Sequence, residues 1–124
     1  MKVLALDYGS ARTGVAVSDP TGTVARPVGV IEQVTKKPGF ERLLELIRAE
    51  APDEIVVGLP LTLRGEHGAQ ARETDLFLHS LRDVVDVPVE TYDERFTSVL
   101  AGGDDARAAA HLLASYLEWR TSRS

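Results

Sequence analysis

Residues 2–7 read Lys-Val-Leu-Ala-Leu-Asp and residues 13–18 read Thr-Gly-Val-Ala-Val-Ser, and these two stretches decide the fold. The first is an apolar run after its opening lysine, which is typical of a central strand buried on both faces. The second reads as a neighbouring strand, and the turn signal Asp-Pro-Thr-Gly follows it at residues 19–22. A third strand is predicted at about residues 24–32. Because the links are short, the three strands are expected to form an antiparallel meander.

Helical and extended patterns alternate in the rest of the chain. A break is predicted at residues 37–39, and the helix after it carries apolar residues at helical spacing and ends at about Pro52. Residues 54–58 read as a buried strand. The next apolar stripe of helical spacing runs from Ala71 to Val85 and predicts a second helix.

The last third of the chain adds one strand and one helix. The strand is predicted at residues 87–92, where its proline is tolerated only at the first turn or on an edge, and the helix at about residues 104–119. The order is therefore βββαβαβα, which predicts an α/β fold with one mixed five-stranded sheet and helices on its faces. We expect a single domain over residues 1–119 and a frayed tail at residues 120–124.

Composition narrows the class of protein. The chain has 124 residues, no cysteine, a formal net charge of −5 and a pI near 5.1. The negative charge argues against a large, non-specific phosphate-binding surface, although metal-binding carboxylates would account for part of it. Since no apolar run approaches the ~20 residues of a membrane span, we expect a cytoplasmic protein without a membrane partner.

Asp7 is the first candidate site residue, since it ends the predicted central strand and is followed by Gly9 and Gly14. Ligands of such sheets approach the carboxyl ends of the strands, and a glycine there allows a phosphate to come close to the backbone. The alternative interpretation is an aspartate that only caps a turn.

Asp93 and Glu94 end the fifth predicted strand. Because adjacent residues of a strand point to opposite sides, only one of the two acids is expected to enter a given site. The pattern does not decide which. A solvated turn, with Arg95 paired to its neighbours, is the alternative.

Asp105 is the third candidate. It precedes Ala109, Leu112 and Tyr116 by four, seven and eleven residues, which places it on the buried stripe of the last helix. Asp104 is rotated by about 100° and suits an N-cap role. A carboxylate that faces a sheet is costly unless it is paired or bound to metal. Alternatively, Asp105 only occupies the first helical turn, where the helix dipole favours it.

Carboxylates brought together in this way favour divalent-metal chemistry. Hard oxygen ligands hold Mg²⁺ or Mn²⁺ and leave positions for water and phosphate. Two such ions can activate an attacking water and stabilise the leaving oxygen of a phosphodiester. With no cysteine and scattered histidines, the sequence does not support a zinc site.

Several motifs along the chain resemble those of one family. Residues 6–16 read Leu-Asp-Tyr-Gly-Ser-Ala-Arg-Thr-Gly-Val-Ala, residues 57–61 read Val-Gly-Leu-Pro-Leu, and residues 93–98 read Asp-Glu-Arg-Phe-Thr-Ser. Further matches are Gly65, Gly68, Asp105 with the alanines at 108–110, and Tyr116 with Leu117. In this order they resemble the YqgF family, which comprises Holliday-junction-resolvase-like proteins that are also described as pre-16S rRNA nucleases.

The resemblance implies a ribonuclease H-like fold and a cytoplasmic bacterial enzyme that matures the 5′ end of 16S rRNA. The implied activity is metal-dependent phosphodiester hydrolysis, with Asp7, Glu94 and Asp105 catalytic and Asp93 as a further candidate metal ligand. Nucleic acid is the expected partner, either an rRNA precursor or branched DNA. The protein itself is expected to be a monomer or a weak homodimer.

Residues for substrate contact are expected around the same site. Gly9 and Gly14 would let the backbone approach phosphate, and the candidate arginines are Arg12, Arg64, Arg72 and Arg95. Arg12 and Arg95 are favoured because they lie within matched motifs, although an arginine is more often a solvated surface charge. His67 could assist protonation or bind phosphate, or be an ordinary loop histidine.

Two features depart from the family pattern. Thr62 and Arg64 replace the asparagine and aspartate that are common in the loop after the fourth strand. Residues 99–104 are a short segment without a basic residue, where the family usually has a longer one that is often rich in lysine and arginine. Tight duplex binding is therefore less expected for this chain than for its relatives.

Two other functions remain open on the sequence alone. A non-catalytic RNA-binding adaptor in ribosome maturation would fit the net charge of −5 and the missing basic segment. An actin-like nucleotide-binding fragment would share the Asp-x-Gly loop at a strand end, but such proteins need two lobes and this chain has room for one.

Overall fold

The computed structural model of the chain describes residues 1–59, 69–93 and 105–123, with side chains outside 69–71 and 123. Within these ranges the element order is the predicted βββαβαβα. The elements are β1 Val3–Asp7, β2 Arg12–Ser18, β3 Ala25–Glu32, α1 Lys37–Glu50, β4 Glu54–Leu59, α2 Ala69–Val84, β5 Val89–Asp93 and α3 Asp105–Arg123.

The strands form one five-stranded sheet in the order β3-β2-β1-β4-β5. β1 pairs with β2 and β2 with β3 in antiparallel fashion, which confirms the predicted meander. β4 joins β1, and β5 joins β4, in parallel. β1 is therefore the central strand, and its carboxyl end lies beside the carboxyl end of β4.

Side chains alternate between the two faces of the sheet, and each face has its own core. Leu4 and Leu6 of β1 pack with residues of α1 and α2 on one face, which we call the α1/α2 face. Val3 and Ala5 of the same strand pack against α3 on the other, which we call the α3 face. All four side chains are fully buried, as predicted for a central strand. Burial of each leucine contributes about 1.5–3 kcal/mol.

The start of α1 differs from the prediction. Lys37-Pro38-Gly39 was expected to be a break, but the helix begins at Lys37 and includes it. The physical reason is that a proline in the first turn lacks only an N–H that would have no partner there, and its fixed φ suits a helix. The helix ends at Glu50 and is capped by Ala51, which adopts a left-handed conformation (φ 47°, ψ 56°) and donates its N–H to the Ile47 carbonyl over 2.9 Å.

The end of α3 also differs, because the helix continues to Arg123 rather than ending near Trp119 with a frayed tail. Arg120 donates to Glu54 Oε1 of β4 over 2.9 Å, and this contact holds the last turns against the sheet. The Trp119 ring packs against Tyr92 of the edge strand β5, with centroids 6.0 Å apart, and so covers this edge of the sheet. In the described ranges, no helix combines the length and apolarity needed to cross a membrane.

Candidate active site

Asp7 is the last residue of the central strand and is half-buried. Strand alternation places its side chain on the α3 face, with Val3 and Ala5. Its register partners are Gly14 on β2 and Gly58 on β4. Neither register partner therefore carries a side chain beside the Asp7 carboxylate.

Gly14 allows α3 to begin directly above the sheet. A Cβ atom added to Gly14 would lie 1.8 Å from the backbone carbonyl oxygen of Asp105, a distance that no real contact allows. Since Gly14 is also the register partner of Asp7, the first residue of α3 lies beside the end of β1. The two acids that the sequence placed far apart are thus brought to one place on the α3 face.

The helical face predicted for Asp105 is confirmed by its neighbours. Ala109, Leu112 and Tyr116 are buried against the sheet, at 0%, 1% and 5% exposure. Asp105 precedes them at helical spacing and is only half-buried, at the edge of this stripe. Its side chain therefore lies between the core and solvent.

Arg12 is the first residue of β2 and pairs with this carboxylate. Its Nε lies 3.3 Å from Asp105 Oδ2, and the two side chains are 62% and 35% exposed. Arg12 follows a tight link in which a Cβ atom on Gly9 would come within 2.4 Å of the Arg12 carbonyl oxygen. Thr13 closes the link by donating its hydroxyl to the Gly9 carbonyl over 3.3 Å. Gly9, Arg12 and Gly14, predicted as substrate-binding residues, thus lie with the two acids.

Asp93 lies on the other side of the sheet. On β5, Val89 belongs to the α1/α2 core and Tyr92 to the α3 core, so alternation places Asp93 with Val89. Arg72 lies on α2, which also packs on that face. The remaining predicted residues, which are Arg64, His67, Glu94, Arg95 and the Asp104 cap, lie outside the described residues.

Tyr8 is a residue next to the site that sequence reasoning missed. It is 3% exposed, and its hydroxyl donates to Glu73 Oε1 of α2 over 3.2 Å. Burial and then the Glu73 charge raise the pKa of the Tyr8 phenol well above its ordinary value, so it remains a neutral donor. Its position directly after Asp7 could have indicated that its ring lies on the opposite face, because adjacent residues of a strand point to opposite faces. Its hydrogen bond to Glu73 connects the end of β1 to α2.

Oxygen donors on the α3 face fit a hard divalent cation. Asp7 and Asp105 supply carboxylates, and the register partners of Asp7 on both neighbouring strands are glycines. Within residues 1–59, 69–93 and 105–123, no three acidic, histidine or cysteine side chains lie close enough together to hold a metal ion. If a metal binds here, Asp7 and Asp105 would supply two of its ligands, and further donors would come from water, substrate or the rest of the chain.

Comparisons with known proteins identify the family of the chain. The family model described as RuvX, Holliday junction resolvase, matches residues 1–104. A protein of Rubrobacter xylanophilus assigned as a pre-16S rRNA nuclease is 44% identical over 131 aligned residues, covering 94% of this chain and 92% of its own. One of Roseiflexus sp. with the same assignment is 44% identical over 100 residues, covering 81% of this chain and 71% of its own. The longer alignment exceeds the 124 residues of this chain, so it includes positions that only the relative has.

Solved structures of resolvases share the fold. Thermus thermophilus RuvC in complex with a Holliday junction substrate superimposes with a TM-score of 0.65 at 18% identity, covering 98% of this chain and 96% of that one. The fowlpox virus resolvase in complex with Holliday junction DNA gives a TM-score of 0.62 at 13% identity, covering 97% and 99%. At such identities the likeness establishes architecture, and it confirms the predicted ribonuclease H-like fold.

Proposed function

This chain belongs to the RuvX family of nucleases, and on that premise we propose that it hydrolyses phosphodiester bonds of rRNA precursors with divalent ions held by Asp7, Asp105 and Glu94. The observation that carries the proposal is the seating of Asp105 on Gly14, the register partner of Asp7. That contact brings acids from the two ends of the chain to one face of the sheet. Family membership also argues against the actin-like alternative.

Glu94 is our choice for the third acid. Asp93 ends β5 on the α1/α2 face, away from Asp7, and adjacent residues of a strand point to opposite sides. We therefore infer that Glu94, and not Asp93, is the third ligand. A Glu94→Gln variant should therefore lose activity, whereas Asp93→Asn should retain most of it.

The chain's own residues would divide the chemistry between them. Asp7 and Asp105 would orient the ions through carboxylate oxygens, and Mg²⁺ or Mn²⁺, when bound, would supply charge to activate water and to stabilise the leaving oxygen. Gly9 would let a phosphate approach the backbone because no Cβ intervenes. Arg12, 62% exposed at the mouth of the site, would contact a substrate phosphate.

The substrate we favour is the 5′ precursor segment of 16S rRNA, in the cytoplasm. This choice rests on relatives at 44% identity that are assigned as pre-16S rRNA nucleases. The family description and the junction-bound resolvases of the same fold favour branched DNA as the second candidate. A phosphodiester is the scissile group in both, so one set of catalytic variants serves for both substrates.

The test is a cleavage assay with Mn²⁺ on a 5′-extended 16S rRNA fragment and on a four-way DNA junction. Asp7→Asn should lower the rate by on the order of a hundredfold or more, as for loss of a group that stabilises transition-state charge. The control is Asp83→Asn, an equally conservative change at an aspartate that is 67% exposed on α2. If Asp7→Asn retains full activity, the proposed site is wrong; if the wild type cleaves neither substrate while binding RNA, the adaptor function replaces it.

A further inference from the structure

We propose that Arg12 holds the Asp105 carboxylate while the site lacks metal, and is released to bind substrate phosphate when a divalent ion takes that carboxylate. The inference rests on the proposed function, because it assumes that Asp105 is a metal ligand. It assigns one arginine two successive partners of the same charge. Metal binding would thereby expose a phosphate-binding group that is otherwise occupied.

The geometry of the pair fits a temporary partner. Arg12 Nε lies 3.3 Å from Asp105 Oδ2, which is longer than the ~2.7–2.9 Å of a strong hydrogen bond between an arginine and a carboxylate. The Arg12 side chain is 62% exposed, and an exposed pair of this kind contributes little to stability. A strongly charged ion can therefore displace it at small cost.

The position of Arg12 fits the second partner. It opens β2, two residues before Gly14, and follows the Gly9 link at the same edge of the sheet as Asp7. An arginine that leaves Asp105 here remains within the site, since its backbone is fixed in the sheet. Planar guanidinium groups with several N–H donors are well suited to phosphate oxygens.

Arg26 offers a matched comparison within the same sheet. It lies on β3, its side chain is also 62% exposed, and its NH2 group lies 3.7 Å from Glu50 Oε1 of α1. Arg12→Gln and Arg26→Gln thus remove the same charge from arginines of equal exposure. Only Arg12 contacts a proposed metal ligand, so any difference between the two variants reports on that contact.

The first experiment measures Mn²⁺ binding alone, by calorimetry or by electron paramagnetic resonance, without nucleic acid. Arg12→Gln should bind Mn²⁺ about two- to fivefold more tightly than Arg26→Gln, which is the range expected for loss of one competing exposed ion pair. Asp7→Asn and Asp105→Asn should both bind more weakly than wild type. If the two aspartate variants weaken binding but Arg12→Gln does not strengthen it beyond Arg26→Gln, the inference is wrong and the metal site stands.

The second experiment measures affinity for a fluorescein-labelled RNA duplex without metal, so that no cleavage occurs. When Asp105 is present, Arg12→Gln should change the dissociation constant for RNA by less than about twofold, because the arginine is paired with Asp105. In an Asp105→Asn background the same substitution should weaken binding several-fold, because the arginine is then free. Equal effects in the two backgrounds would overturn the inference. Unchanged Mn²⁺ affinity in Asp7→Asn would instead contradict the proposed function itself.

Discussion

The two ends of α3 each carry an arginine–carboxylate pair, and the two pairs differ in distance and in burial. At the amino end, Arg12 and Asp105 meet at 3.3 Å with side chains 62% and 35% exposed. Toward the carboxyl end, Arg120 and Glu54 meet at 2.9 Å with side chains 40% and 9% exposed. The first pair lies beside the candidate site, and the second lies near the other end of the same helix, at the start of β4.

Glu54 is also held by a second donor. The Tyr116 hydroxyl donates to the same Oε1 atom over 2.9 Å, and the Tyr116 ring packs at right angles to Tyr92. Burial and then the hydrogen bond to Glu54 raise the pKa of the Tyr116 phenol above its ordinary value, so the phenol is a reliable donor at neutral pH. The buried Glu54 carboxylate is held by two donors and stabilises the packing of α3, whereas the more exposed Asp105 carboxylate can bind a ligand.

The largest effect is expected where α3 meets the sheet at the site. Gly14→Ala places a methyl group 1.8 Å from the Asp105 carbonyl oxygen, so the start of the helix has to move. We expect a loss of about 3 kcal/mol in the free energy of unfolding, as for overpacking that shifts the backbone. The free energy of unfolding is measured by urea denaturation, with circular dichroism as the signal.

Gly29→Ala is the control for that change. Gly29 lies on β3 of the same sheet, and a Cβ atom added there meets nothing within 4 Å. The control should leave stability within about 0.5 kcal/mol of wild type, as for surface substitutions away from special features. A similar loss in both variants would mean that the cost comes from glycine replacement in strands and not from the helix above Gly14.

The seating of α3 shows what the sequence could predict and what it could not. Spacing from Ala109, Leu112 and Tyr116 indicated which way Asp105 faces, because helical periodicity is a local property. The apolar run at residues 2–7 likewise indicated a central strand. That Gly14 is the residue beneath Asp105 could not be predicted, since it depends on packing between residues 91 positions apart in the chain.

The second-largest loss of stability is expected near the carboxyl end of α3. Glu54→Ala removes the acceptor shared by Tyr116 and Arg120, so both donors lose this contact, and the Tyr116 hydroxyl loses it in a buried place. Breaking a buried pair costs ~3–5 kcal/mol, and because Arg120 is 40% exposed and can be hydrated we expect about 2 kcal/mol. Urea denaturation again measures it.

Glu50→Ala provides the comparison for this prediction. Glu50 is a 20% exposed carboxylate of α1 that pairs with Lys2 at 3.0 Å and with Arg26 at 3.7 Å. The Glu50 carboxylate is more exposed than that of Glu54, at 20% against 9%, and we expect a loss of about 1 kcal/mol or less. If Glu50→Ala cost as much as Glu54→Ala, burial would not be what separates the two kinds of pair.

The contacts of Glu54 with Tyr116 and Arg120, and the contact of Tyr8 with Glu73, could not be predicted from the sequence, for the same physical reason. Glu54 lies 62 residues from Tyr116 and 66 from Arg120, and Tyr8 lies 65 residues from Glu73. Such contacts depend on how α2 and α3 settle on the sheet, which no local pattern encodes. The adjacent acids Asp93 and Glu94 illustrate the intermediate case, because alternation indicated that they separate but only the faces of Val89 and Tyr92 fix the side of Asp93.

The smallest effect on stability is expected for Asp105→Asn, which should nevertheless have a large effect on cleavage. The change removes an exposed ion pair and a favourable charge in the first turn of α3, and each contributes ~0.3–1 kcal/mol. It also removes a negative charge from the neighbourhood of Asp7, which offsets part of that loss. We therefore expect the free energy of unfolding to change by less than ~1 kcal/mol, while cleavage falls as far as in Asp7→Asn. If Asp105→Asn lost as much stability as Glu54→Ala, both pairs would serve to hold α3 on the sheet. Asp105 would then not be free to bind a metal, because the fold would depend on it.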